Sequence, residues 1–226
     1  MRLLIISDVH ANLPALDAIL SKERFDKILC AGDVVDYGPH PNEVIEALRS
    51  LNTICVMGDH EYAVLTGRMD FFNPYAAWCV EWTRKVLKDS NKEWLRTLRT
   101  SERLLIDGKT LAVYHGSPFD PLWEYVFPGV PKDYLKTIIR ETRADVVILG
   151  HTHIPMIFEW RGKFIINPGS VGQPRDGDPR ASYVLLDTKK MEIKIRRVEY
   201  DIDRTVEDMR REKFPEFLWR RLYEGL

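Results

Sequence analysis

The stretch VMGDHEY, Val56 to Tyr62, sets an aspartate, a histidine and a glutamate in a row directly after an apolar run. Other polar clusters end apolar runs in the same way: SDVHAN from Ser7, AGDVVDYG from Ala31, YHGSP from Tyr114, LGHTHIP from Leu149 and NPGSVGQPRDGD from Asn167. Five of the six histidines fall in these clusters, namely His10, His60, His115, His151 and His153, and only His40 lies outside. A lone histidine is usually structural. Five imidazoles with three or four carboxylates at strand ends are another matter, because burying so many ionisable groups without a counter-charge costs several kcal/mol apiece. The clusters therefore point to divalent metal. Imidazole and carboxylate without cysteine suit manganese, iron, nickel or zinc better than calcium or an iron–sulfur cluster. There are too many ligands for one ion, and two ions about 3.5–4 Å apart clamp a phosphate and activate a bridging hydroxide for in-line attack, with no serine or cysteine nucleophile. If the segments are extended, Asp8 and His10 point to one side, and so do His151 and His153, because side chains alternate with period two.

The elements that must hold these groups are legible as short apolar runs: Leu3 to Ile6, Ile28 to Ala31, Thr53 to Met57, Leu111 to Tyr114, Val146 to Leu149 and Phe164 to Ile166. Each reads as a strand buried on both faces. Helices fit between the early runs. Asn12 and Pro14 suit the start of a helix carrying Leu13, Leu16, Ile19 and Leu20, and a second starts near Pro41 with Val44, Ile45 and Leu48 turned inward. Strand and helix alternate through the first 58 residues as in a parallel α/β unit, and strands dominate after about residue 100. Ala181 to Asp187 and Met191 to Tyr200 read as a half-exposed antiparallel hairpin turning at Thr188 to Lys190. The spacing of Tyr75, Trp78, Trp82 and Val86 predicts a helix within an insertion over about 71–100, and FPEFLWRRLYEGL predicts a C-terminal helix over about 204–224, with Phe217, Leu218 and Leu222 on one face. Both helices are expected to pack on the core, with a lid or a dimer contact as the alternative. The fold class expected is a four-layer αββα sandwich of two mixed sheets, in one domain spanning 1–226.

Composition narrows the partners. Hydrophobic residues make up 45% and charged residues 30%, and the net charge is −1, so nothing biases the chain toward nucleic acid or membrane. Four apolar residues before Ser7 are too few for a signal-peptide core or a spanning helix, so a cytoplasmic protein is expected. Three cysteines in apolar runs read as buried free thiols, and the single glutamine, Gln173, hints at a thermophilic source.

The ordered clusters resemble the calcineurin-like metallophosphoesterase superfamily, whose pattern is D-x-H, G-D-x-x-D, G-N-H-[DE], H and G-H-x-H; ordered blocks at this spacing are far more specific than one short motif. The resemblance runs from Ser7 to about Asp176. It implies one metal on Asp8, His10, Asp33 and His153, another on Asp33, Asp59, His115 and His151, and Asp33 as the bridge. Manganese comes foremost, with nickel, iron, zinc and magnesium as alternatives. His60 matches a histidine that touches the scissile phosphate or protonates the leaving oxygen, with Asp36 orienting its ring. Within the superfamily, NPGSVGQPR, HGSP and the C-terminal FPEFLWRRLYEG look like the small bacterial and archaeal phosphodiesterase branch. Tyr37 stands where the protein-phosphatase and dinucleoside-tetraphosphatase branch carries the arginine of G-D-x-x-D-R-G, which argues against phosphoprotein activity.

Position 59 departs from the pattern: the family asparagine is Asp59 here. With two divalent ions, Asp8, Asp33 and a hydroxide, the formal sum falls from about +1 to about 0, which weakens the pull on phosphate and strengthens the hold on metal. Either an engineered slowing of turnover or a natural tuning of metal choice accounts for it. Asn12, Arg175, Trp123 and Tyr125 are candidate substrate contacts: Arg175 as the first cation after the Gly169 to Gly172 turn, and Trp123 and Tyr125, with Phe127, as an aromatic wall for a nucleobase or aryl ester. The GSVG turn lacks GK[ST], so it is no P-loop and is expected at the pocket rim. The expected function is metal-dependent hydrolysis of a small phosphoester or nucleotide, most simply a phosphodiester. The rivals are a phosphomonoesterase or dinucleoside polyphosphate hydrolase and, in another class, a weakly active nucleotide-binding regulator. Homo-oligomerisation stays open.

Overall fold

The computed structural model describes all of residues 1–226. In chain order the elements are β1 (Arg2–Ile6), α1 (Leu13–Lys22), β2 (Lys27–Cys30), α2 (Pro41–Ser50), β3 (Ile54–Cys55), α3 (Asp59–Thr66), α4 (Pro74–Val86) and α5 (Asp89–Thr97). Then come β4 (Ser101–Ile106), β5 (Lys109–Tyr114), α6 (Lys132–Thr142), β6 (Val146–Ile148), β7 (Met156–Trp160), β8 (Lys163–Asn167), β9 (Ala181–Asp187), β10 (Glu192–Val198), α7 (Ile202–Arg211), α8 (Glu216–Arg220) and a 3-10 turn at Arg221–Tyr223. The strands form two five-stranded sheets, ordered β10-β9-β1-β2-β3 and β4-β5-β6-β8-β7. In the first, β1 is parallel to β2 and antiparallel to β9; in the second, β5, β6 and β8 are parallel.

The alternation of side chains along a strand decides the layering. Leu3 and Ile5 of β1 face the second sheet and meet Val113, Ile148 and Ile166, while Leu4 and Ile6 face outward onto Leu16, Ile19, Val44 and Leu48 of α1 and α2. On the far side of the second sheet, Val147 and Ile165 pack on Leu135, Ile138 and Ile139 of α6. The result is the αββα sandwich, helix layers outside and two sheets within. A separate cluster joins Cys79 of α4, Val206 and Met209 of α7, Leu218 of α8 and Leu222 to Tyr37, so the C-terminal elements wrap onto one side of the site. No helix is long and apolar enough to cross a membrane. Cys30, Cys55 and Cys79 are all buried and free.

Several elements differ from expectation. The run Thr53 to Met57 yields only the two-residue β3, with Val56 bridging Arg99, because the chain turns at Gly58 into α3. The inward face of α4 is Ala76, Cys79, Val80 and Thr83, and Tyr75 at its start is 42% exposed: the aromatics mark the helix but do not form its most buried stripe. The hairpin β9/β10 is present, but β9 is buried almost throughout, since it is flanked by β1 and β10 and covered on both faces. The C-terminal helix expected over 204–224 is broken. Lys213 adopts φ 60°, Phe214 turns into the core and Pro215 caps α8; Leu218 and Leu222 are buried, but Phe217 is 50% exposed.

Candidate metal centre

Every expected metal ligand, with Asp36 and His60, lies just beyond a strand. Asp8 and His10 follow β1, Asp33 and Asp36 follow β2, His115 follows β5, and His151 and His153 follow β6; Asp59 and His60 are the first two residues of α3. These are the carboxyl ends of parallel strands, where open α/β sheets place ligands. The local conformation is not the extended one assumed from D-x-H. Asp8, His10, Asp33, Asp36, His151 and His153 all have φ between 45° and 67°, a left-handed backbone that costs about 1–2 kcal/mol per non-glycine residue. The convergence of Asp8 with His10 thus comes from strained turns rather than strand alternation.

The side chains form two adjoining nests. Asp8, His10 and His153 make one, and Asp33, Asp59, His115 and His151 the other, with the ligand atoms of each group within 4.8 Å of one another. Asp33 stands between them: its Oδ2 is 3.7 Å from His10 Nε2 and 3.3 Å from His115 Nε2. Ring orientation is fixed from behind. His10 Nδ1 donates to Val35 O (2.9 Å), His115 Nδ1 to Ala31 O (2.8 Å) and His153 Nδ1 to Gln173 O (2.5 Å), which leaves each Nε2 aimed inward. Yet His10 Nε2 and His153 Nε2 are only 3.1 Å apart, and His115 Nε2 and His151 Nδ1 only 3.0 Å. The lone pairs of His10 and His153, both kept neutral by burial, repel at that distance unless a cation lies between them; in the other nest burial opposes a charge on His115, but Asp33 and Asp59 push its imidazole well above the usual range, so positive charge is drawn there too. The buried Asp8 Oδ1, with no hydrogen-bond donor of its own, faces the same space 3.3 Å from His153 Nε2. The donor set therefore fits one divalent ion in each nest.

The titration behaviour agrees. Burial, reinforced by the charge of Asp59, pushes the Asp33 carboxyl up to about 7, and burial raises Asp8 as well. Asp59 goes the other way: burial opposes its charge, but hydrogen bonds from His115 and His151 hold it well below the usual range. Burial depresses the His10 and His153 imidazoles, keeping them neutral as ligands must be. Burial would also depress His60, but the charge of Asp33, the hydrogen bond to Asp36 and the charge of Asp59 push it up to about 9.

His60 Nδ1 donates to Asp36 Oδ2 at 2.8 Å, and both residues are buried. A ring nitrogen of His60 also comes within 4.8 Å of ligand atoms on His10 and Asp33, so the imidazole sits at the edge of the nests. Tyr37 packs against the rings of both His10 (4.7 Å) and His60 (4.8 Å), filling this flank with an apolar ring. Glu61, fully buried, accepts from the backbone N–H groups of Asp33, Val34, Val35 and Gly58 at 2.8–3.2 Å, and so ties the second and third loops together. The close approach requires glycine at 58, where a Cβ would come within 2.1 Å of Asp33 Oδ1.

Two expectations fail. Asn12 is 1% exposed and both ends of its amide are engaged: Nδ2 donates to Gly172 O, and Oδ1 accepts from Ala15 N, as the cap of α1, and from Thr205 Oγ1. It is held inside the fold rather than facing a substrate. The GSVG turn is not a rim but a buried brace, in which Val171 N bonds Ser7 O, and Gly172 N and Ser170 Oγ bond Asp8 O. Arg175 is half-buried, bonded by Nε and a terminal nitrogen to the neutral Gln173 Oε1, with its guanidinium 5.7 Å from the Tyr37 ring centre. Trp123 and Tyr125 do line a cleft of about 360 Å³ that opens on Asp59 and His151, and Phe71, Phe72 and Asp120, which no motif marks, complete it. Phe127 stacks on Tyr125 (5.5 Å) behind the cleft.

Residues 1–191 match the family described as the calcineurin-like phosphoesterase superfamily domain. An uncharacterized protein of Methanocaldococcus jannaschii is 41% identical, the match covering 98% of this chain and 97% of that one. The phosphodiesterase YfcE of Escherichia coli is 28% identical over 85% of this chain and 91% of its own. Among solved structures, a metallophosphoesterase from Sphaerobacter thermophilus superposes with a TM-score of 0.88 at 39% identity, with both chains covered completely.

Proposed function

The chain belongs to the calcineurin-like phosphoesterase superfamily, and we propose that within it the protein is a phosphodiesterase working with two divalent metal ions. The observation that carries the proposal is the pair of imidazole contacts near 3 Å, His10 with His153 and His115 with His151, the first with lone pairs turned toward each other, the second gathered on Asp59, and Asp33 between the two pairs. On this reading Asp8, His10, Asp33 and His153 hold one ion and Asp33, Asp59, His115 and His151 the other. Bound there, such ions supply Lewis acidity toward phosphate oxygens and a nucleophile drawn from water at neutral pH.

The chain's own groups do the rest. The carbonyls of Val35, Ala31 and Gln173 keep three imidazoles in the ligating tautomer, and Glu61 keeps two loops in register. Asp36 holds His60 by Nδ1, leaving Nε2 to give a proton to the departing oxygen. Water adds its oxygen to phosphorus, the P–O bond to the leaving alcohol breaks, and that alcohol departs with the proton. On this reading Arg175, which has only the neutral Gln173 Oε1 as its hydrogen-bond partner, meets a non-bridging phosphate oxygen. Asp59 favours diesters over monoesters, because a monoester dianion brings one more negative charge toward an extra carboxylate.

The test is metal analysis and a phosphoester panel on one preparation: bis(p-nitrophenyl) phosphate, p-nitrophenyl phosphate and diadenosine tetraphosphate, with manganese, nickel, zinc, iron or magnesium. The expected result is two ions per chain and the highest kcat/KM on the diester. Faster turnover of the monoester or the tetraphosphate would replace the substrate assignment. Full metal loading with no turnover, together with nucleotide binding by calorimetry, would instead make the protein a regulator.

A further inference from the structure

The loop from Gly67 to Asn73, between α3 and α4, carries two phenylalanines that the hydrolytic chemistry does not use. Phe71 is 83% exposed, a costly position for a benzyl group unless something covers it. Phe72 lays its ring 4.7 Å from that of His60 at an interplanar angle of 39°. Both meet the edge of Trp123, at 5.7 and 6.2 Å, and Tyr125 stacks on the ligand-bearing ring of His151 at 3.7 Å. These four rings, Asp59, His151 and Asp120 enclose the cleft of about 360 Å³, room for a flat ring system.

Two features set the chemistry of the occupant. The lining contains no lysine or arginine, so nothing there balances a second phosphate or a polyphosphate chain. Its one polar group away from the nests is Asp120, whose Oδ1 accepts from the N–H groups of Leu122 (3.3 Å) and Trp123 (3.1 Å) and whose Oδ2 has no donor in the chain. The cation Arg175, bonded to the neutral Gln173, stands over Tyr37, which packs on His60 separately from Phe72. Cation and aromatic cleft are therefore separate features around the imidazole that serves the leaving oxygen.

We propose that the cleft receives the leaving group of the diester, and that this group is a nucleoside: a flat base stacking among Trp123, Phe71 and Phe72, with a base N–H donated to Asp120. The inference rests on the phosphodiesterase reading and specifies its substrate class. Hydrolysis of such a diester adds the oxygen of water to phosphorus and breaks the P–O bond to the nucleoside, which leaves with the proton as a free alcohol, while the smaller alcohol stays on the phosphate.

The methyl ester of adenosine 5′-phosphate tests this, because either ester bond can break. Metal-loaded full-length protein is expected to give adenosine and methyl phosphate; AMP and methanol overturn the placement of the leaving group. Calorimetry with adenosine, which has no phosphate, gives a second readout, and Trp123→Ala is expected to weaken its binding about 5- to 100-fold with unchanged metal content. Asp120→Asn is expected to weaken adenosine more than the donor-poor analogue purine riboside; equal losses overturn the role of Asp120. Failure of the underlying reading looks different, as metal-loaded protein would then turn over no phosphoester. In that event adenosine binding lost in Trp123→Ala still upholds the cleft, and absence of adenosine binding to the unaltered protein overturns it.

Discussion

Asp59→Asn isolates one unit of charge with almost no change of shape. The carboxylate is 4% exposed, 3.0 Å from His115 Nε2 and 3.3 Å from His151 Nδ1, and those contacts keep it ionised across the working pH range. Its charge opposes the extra negative charge that a phosphodiester gathers in the transition state. At a separation of roughly 5 Å and an effective dielectric constant of about 20, Coulomb's law puts that opposition near 3 kcal/mol. Solvent in the open cleft trims it to about 2 kcal/mol, which corresponds to roughly a 30-fold gain in kcat for the asparagine variant. The same change removes an anionic oxygen from one nest, so the metal dissociation constant is expected to rise by about tenfold or more. The assay is the initial rate on bis(p-nitrophenyl) phosphate at saturating manganese, with both proteins verified as fully loaded. Equal kcat values at equal loading would refute the electrostatic argument, and slower turnover by the asparagine variant would reverse its sign.

Other perturbations address the remaining parts of the site. His60→Asn is expected to lower kcat by about 10²- to 10⁴-fold without loss of metal; falling metal content would make His60 a ligand instead. Asp36→Asn should cost roughly 10- to 100-fold in kcat with little change in KM, because it acts only through the ring it orients. Chelation should lower Tm: a site held at roughly 1,000 times its dissociation constant contributes about 4 kcal/mol, and a chain of this size shifts by about 2–4 °C per kcal/mol. Differential scanning calorimetry with and without chelator reads that shift, and an unchanged Tm would argue against the nests as metal sites. Glu61→Gln replaces an acceptor of four backbone N–H groups by an amide that cannot accept from all of them, so urea denaturation should show a loss of about 2–4 kcal/mol.

How much of this was legible in the sequence depends on the kind of signal. Strands buried on both faces are unbroken apolar runs, so β1, β2, β5, β6 and β8 stood out, and the polar residues ending them pointed to one end of the sheets. Edge strands β4 and β7 carry mixed, half-exposed residues and gave no run to read. The helix α6 has Leu135, Ile138, Ile139 and Thr142 at helical spacing, a signal that was present and went unread beside the louder aromatic loop before it. Asn12 shows the limit at the site. A side chain next to ligands looks like a substrate contact, and only the partners Gly172 and Thr205, 160 and 193 residues away, show that its amide is already engaged. Phe71 and Phe72 lie in a loop with no periodicity, and their place beside Trp123 is a tertiary fact.

The first sheet closes late. Strand β1, the second to sixth residues of the chain, lies between β2, which follows within 30 residues, and β9, whose pairing partners are Val184 to Asp187. As the chain emerges from a ribosome, one edge of this strand, apolar from Leu3 to Ile6, has no partner until more than 180 residues have been made, and contacts of such long sequence separation form slowly. Through that interval the open edge is a template for pairing with other chains. A strand edge left open during synthesis, rather than the marginal stability of any one element, is the vulnerability that this strand order builds into the protein.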